Sequence, residues 1–150
     1  MHTGYGPRYQ MSLVNSALET RTSQEFIKRF DYPLVVAANP EEFYAIRGDM
    51  IDYVYVLRQH EFPEKDMYAT CFEFGTLGDD IRGQIGSPRA MMFENRLYWH
   101  DAVNDKLAER VKHDFEKLFN PATSDWRVKV VADADQAFTG ILKAEGYWVA

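Results

Sequence analysis

The chain has 150 residues, 46% of them hydrophobic and 15% aromatic, which suits a single domain over 1–150 with a sizeable core. Its net charge of -6 argues against a nucleic-acid surface, which needs clustered Lys and Arg. No apolar run nears the roughly 20 residues of a bilayer span, the opening MHTGYGPRYQ has no signal-peptide core, and a single cysteine, Cys71, excludes an internal disulfide framework, so a cytoplasmic protein is expected.

The segment His2-Thr3-Gly4-Tyr5-Gly6-Pro7 reads as a loop, because two glycines and a proline suit a sharply turning backbone. A helix is expected over 22–31. Thr22 and Glu25 form a capping-box pair, Phe26, Ile27 and Phe30 give an apolar stripe, and Tyr32-Pro33 ends it. Residues 34–38 form a short apolar run that suits a buried strand, and Asn39-Pro40 marks a turn. The stretch 49–59 supports two readings. Tyr53, Tyr55 and Leu57 alternate like a strand, whereas Ile51, Val54, Tyr55 and Arg58 space like a helix. Residues 67–74 read as a buried strand ending at Gly75, with Cys71 and Glu73 on one face and Phe72 and Phe74 on the other.

A long helical pattern is expected to begin at Ser87-Pro88, an N-cap followed by proline. Met92, Trp99, Val103, Leu107, Val111, Phe115 and Leu118 then recur at helical spacing as one helix, or as two with a bend near His100-Asp101, until Asn120-Pro121. A last helix is expected from Ser124 to Ala144, with Gly146 as its C-cap. Strands early and helices late imply an α/β layer structure with a partial sheet. Two to four strands are few for three or four helices, which suggests that further strands come from another segment or subunit.

Glu73 carries the most chemical weight. A carboxylate flanked by Phe72 and Phe74 is costly to bury unpaired. Near the carboxyl end of a strand it occupies the usual ligand position of an open α/β sheet and could serve as a general base. The plainer alternative is a glutamate that reaches solvent or pairs with an arginine. His2 beside the glycine loop could ligate zinc or could be a frayed terminal residue. His60, His100 and His113 show no ligand spacing, and no HExxH pair, GxSxG elbow or P-loop is present. Cys71 is expected as a small core residue. Ser16 and Thr76 have no evident activating base. Tyr53 and Tyr55 could donate hydrogen bonds to a substrate or belong to the core. Asp79-Asp80 is expected to be a solvated turn, and Asp133 and Asp135 to lie on the exposed side of the last helix.

Two segments together carry a resemblance. His2-Thr3-Gly4-Tyr5-Gly6-Pro7 looks like the D-x-H-T-G-x-G-P segment of zinc-carboxypeptidase-like proteins, and Phe72-Glu73-Phe74-Gly75-Thr76 looks like their x-E-F-G-T segment. The chain thus resembles the M14-type metallocarboxypeptidase superfamily over about residues 1–118, and within it the bacterial DUF2817-type branch, a neighbour of aspartoacylase and succinylglutamate desuccinylase. The resemblance implies a partial mixed sheet packed with helices, like the C-terminal half of the zinc-carboxypeptidase fold. It implies His2 as third zinc ligand, Glu73 as the base acting on zinc-bound water, and Gly4, Tyr53 and Tyr55 at the substrate.

The family's first two zinc ligands come from an HxxE-type motif upstream of the third, and this sequence holds none before His2. The expectation is therefore a C-terminal half, inactive in isolation, that binds zinc only if an upstream segment or a partner supplies the other ligands. Its substrate would be a small peptide or an acyl amino acid. Two alternatives stay open: an aspartoacylase-like deacylase of a small acidic amide, and a non-catalytic module or gene remnant that self-associates through the faces its incomplete sheet leaves open.

Overall fold

The computed structural model describes residues 1–39, 41–43 and 48–148. Among them the chain runs β1 (His2–Gly4), β2 (Met11–Asn15), α1 (Ser23–Phe30), β3 (Val35–Ala37), α2 (Met50–Glu61), β4 (Thr70–Gly75), α3 (Ile81–His100), α4 (Asp105–Phe119) and α5 (Ser124–Ala144). The expected α/β class holds, with a small mixed sheet in the order β1-β4-β2-β3. β1 is parallel to β4 and β2 is parallel to β3. The hydroxyl of Thr70 donates to the carbonyl of Val14, and Gly75 exchanges backbone bonds with Tyr9 and Gln10. The partner number falls as β4 advances, so β4 runs against β2. The residues form two compact units, 1–11 with 73–132 and 12–72 with 133–150.

In the first unit, the opening residues form a strand rather than the expected loop. His2, Thr3 and Gly4 pair with Glu73, Phe74 and Gly75. The glycines that signalled a turn act at the strand's last residue and just beyond it, where Gly4 and Gly6 take φ of 137° and 117°. Helix α3 starts earlier than Ser87-Pro88 suggested. Asp80 is its N-cap, with the carboxylate accepting from Gly83 N–H at 2.8 Å, so Asp79-Asp80 is not a plain solvated turn. Pro88 lies inside the helix, where it removes one backbone bond without ending the run. Of the two readings offered for this stretch, two helices are found. Asp101 has a φ of 57°, which breaks the run, and the side chain of Asn104 caps α4 by accepting from Leu107 N–H at 2.9 Å. Orphan carbonyls at the α4 C-terminus are taken up by two threonines of the opening and x-E-F-G-T segments. Thr3 donates to Phe119 O at 2.7 Å, and the buried Thr76 hydroxyl sits 2.7 Å from Leu118 O and 3.0 Å from Gly4 O.

In the second unit, α1 has the expected capping box at Thr22 and Glu25 and ends at Asp31 in a left-handed conformation. Its buried Phe26 and Phe30 meet Tyr68, with ring centroids 4.7 Å and 4.9 Å from the tyrosine ring. Such aromatic contacts contribute about 0.5–1.5 kcal/mol each beyond burial. Strand β2, unread from sequence, is buried throughout and pairs Leu13, Val14 and Asn15 with Val35, Val36 and Ala37. The Pro40 half of the expected Asn39-Pro40 turn lies outside the described residues; Asn39 accepts from the backbone N–H groups of Glu41 and Glu42 at 3.0 Å.

The stretch 49–59 takes the helical reading as α2, which Asp49 caps by accepting from Asp52 N–H at 2.7 Å. Strand β4 starts at Thr70 rather than 67. The Met67 carbonyl accepts from the Arg21 side chain at 2.8 Å instead of from a strand. Helix α5 has the expected bounds. Asp135 is exposed as expected, but Asp133 is buried, and its charge adds to burial in pushing the Tyr32 phenol above its ordinary range.

Candidate functional site

The site is built where β1 pairs with the end of β4. Parallel register sets His2 beside Glu73, and the imidazole Nδ1 lies 3.6 Å from the carboxylate Oε2. The two side chains differ sharply in environment. His2 is open, with 71% of its side chain exposed, while Glu73 retains 6%. An imidazole at the mouth and a carboxylate behind it form a short path from solvent to a shielded acceptor.

The N–H of Tyr5 donates to Glu73 and, with the N-terminal charge, draws its pKa down, but loss of water outweighs both and pushes the carboxyl up to about 7. Cys71 lies two residues earlier on β4 and so falls on the same strand face by alternation.

Gly75 is what lets the two motif segments meet. A Cβ there would stand 2.0 Å from Pro7 O and 2.7 Å from Gly6 O, so only glycine admits the turn that follows His2. The backbone bond from Tyr9 N–H to Gly75 O, 3.0 Å, then holds that turn against the strand. Thr76 ties the arrangement to α4 through Gly4 and Leu118. In the sequence Thr76 is a hydroxyl without a base; its position directly after Glu73-Phe74-Gly75 is the available signal.

The remaining named residues fall as follows. Gly4 is buried, and its side-chain position faces the Phe119 ring at 3.5 Å. Tyr53 and Tyr55 belong to α2 in the second unit. Tyr53 is largely exposed, and the buried Tyr55 donates its hydroxyl to Glu19 at 2.7 Å. Ser16 donates to Asp52 at 2.6 Å, a bond between a serine and a carboxylate with no imidazole in it.

With this geometry in hand, the comparisons with known proteins give one family. Residues 1–133 match the family described as protein of unknown function (DUF2817). The chain belongs to the DUF2817 family. No curated protein and no solved structure matches it. The match takes in every residue of the His2–Glu73 arrangement, so that arrangement lies within the part of the DUF2817 chain that its family shares.

As a zinc centre the first unit is incomplete. A catalytic zinc takes about three protein ligands. The pairing of β1 with β4 supplies one imidazole, and the carboxylate beside it is the group the resemblance assigns to proton transfer. These residues do not by themselves make a tight zinc site.

Proposed function

We propose that this DUF2817 chain carries one part of the active site of an amide hydrolase related to the M14 zinc carboxypeptidases, cleaving a C-terminal amino acid or an acyl amide. The observation that supports this reading is the placement of His2 against Glu73, 3.6 Å apart, by a strand pairing that joins the two motif segments. Zinc in such enzymes polarises the scissile carbonyl and acidifies bound water.

The chain's own contribution is narrower. His2 offers one open nitrogen donor, and Glu73 is a shielded carboxylate able to accept a proton from the solvent side and return it to a leaving amine. Tyr5 N–H orients the carboxylate, and Gly75 keeps the loop close enough for that N–H to reach it. One imidazole with its neighbouring carboxylate is too few donors for tight zinc, so the 150-residue chain is expected to bind zinc weakly and to turn over little or no substrate.

Zinc titration by calorimetry tests the ligand role. Weak binding by the wild-type chain should be lost in His2→Ala and kept in Glu73→Gln. Identical binding by wild type and His2→Ala removes His2 as a ligand and overturns the reading. Amides of C-terminal amino acids and N-acyl aspartates, assayed side by side, separate a peptidase from an aspartoacylase-like deacylase wherever turnover is seen; that turnover should vanish in Glu73→Gln.

A further inference from the structure

Helix α3 holds a second pattern that the site does not use. The inward face of α3 is short-chained, with Gly83 and Ala90 buried and Leu97 half-buried. The opposite face carries Ile81, Ile85, Pro88, Met92, Asn95 and Trp99, spaced 4-3-4-3-4, which is the seam of a heptad repeat. Every one of these residues is exposed; Ile81, Met92 and Trp99 keep 75%, 72% and 68% of their surface. A soluble helix does not ordinarily turn such a row to water.

The charges beside the seam are equally regular. Arg82, Arg89 and Arg96 recur every seven residues along one flank and are all exposed. Among the described residues none of the three is held in an ion pair. Arg89 instead lies over the Phe93 ring, 5.4 Å from its centroid. The other flank carries Gln84, Met91 and Tyr98, with no charge. Between the seam and the arginine row runs a shallow groove bounded by Ile85, Arg89, Met92 and Arg96.

We propose that this face of α3 docks an amphipathic helix of another protein, one whose apolar row is flanked by carboxylates. A second α3 fits poorly. Antiparallel pairing would set the arginine rows against each other, and parallel pairing would set them against Gln84, Met91 and Tyr98. A lipid surface fits poorly as well. Interfacial helices carry cations around a continuous apolar face, whereas here the charge lies on one flank and Pro88 and Asn95 interrupt the row. Glutamates along the edge of an incoming helix would meet all three arginines in register while its apolar row covers Ile85, Met92 and Trp99.

The test uses the full chain and a fluorescent helical peptide of about three heptads with Ile and Leu at its seam and Glu on both flanks. Saturable binding is expected, and it should weaken at least about tenfold in Arg82→Glu/Arg89→Glu/Arg96→Glu, in Met92→Glu, and on raising salt from about 0.05 to about 0.5 M. All these substitutions are at exposed positions, and circular dichroism should confirm an unchanged helix content. The triple variant should instead take the same peptide with Lys in place of Glu, which the wild type should refuse. Absence of binding, equal binding by the triple variant, or equal affinity for the Lys peptide overturns the proposal. So does sedimentation showing a dimer that Met92→Glu dissolves, or tighter binding to anionic phosphatidylglycerol vesicles than to the peptide.

Discussion

Each of the two units buries a glutamate, and the two are driven in opposite directions. Glu73 in the first unit and Glu19 in the second keep only 6% and 4% of their side chains exposed. Burial alone would raise both. At Glu19 that effect is overcome by the Arg21 guanidinium and backbone N–H and by the Tyr55 hydroxyl, which together hold the carboxyl down at about 2. At Glu73 a backbone N–H from Tyr5 and the N-terminal charge oppose desolvation without overcoming it, and the carboxyl rises to about 7. What separates the two carboxylates is the number and charge of their donors, not the depth of their burial.

The sharpest way to break that contrast is to unpair Glu19. Arg21→Met should destabilise the chain by about 3–5 kcal/mol, because a charge is left buried without its partner. Urea unfolding reads this, and a loss under about 1 kcal/mol would show that Glu19 does not depend on Arg21. Acid should act next. The folded-state pKa of Glu19 is depressed, so its stabilisation is full above about 4.5 and is lost as pH falls from there toward about 2. The linked loss is about 3 kcal/mol. Arg21→Met should flatten that part of the stability curve.

Glu73 should show the reverse sign with an effect of similar size. Its folded-state pKa is raised, so the cost of ionising it appears as pH climbs from about 4.5 to about 7. Glu73→Gln should therefore equal the wild type below that window and exceed it by about 3 kcal/mol near pH 8. Equal stability at both pH values would mean that Glu73 is not desolvated. The smallest change belongs to His2→Ala. The ring is mostly in water, so stability should move by less than about 0.5 kcal/mol, even though zinc binding is expected to disappear. Thermal melts with and without zinc separate the two readouts.

The elements that could be read in advance are those whose signals lie within a few residues. The capping box of α1 and the bounds of α5 follow from local residues, and the structure has both. Local signals also misled. Ser87-Pro88 looks like a helix start, but Asp80 caps the first turn, and a helix already under way can carry Pro88. Strand β2 went unread because Ser12 and Asn15 interrupt its apolar pattern; burial on both faces, not alternation, defines it. The ambiguous stretch 49–59 was settled by a cap at Asp49 that the alternation of Tyr53, Tyr55 and Leu57 had obscured. Glu73 could be singled out because carboxylates are rare between phenylalanines, whereas the commitment of Tyr55 to Glu19 could not be foreseen from residues 36 positions apart.

What the amino-acid sequence determined by itself was the α/β class, most of the helices and the two motif segments. These depend on periodicity and on neighbours within a turn or two. Only the tertiary structure decided that His2 stands beside Glu73, that Gly75 makes room for the turn at Gly6-Pro7, and which carboxylate gains a cation. Each of those joins residues far apart along the chain or depends on how much water a folded surface excludes, and neither is written in local spacing.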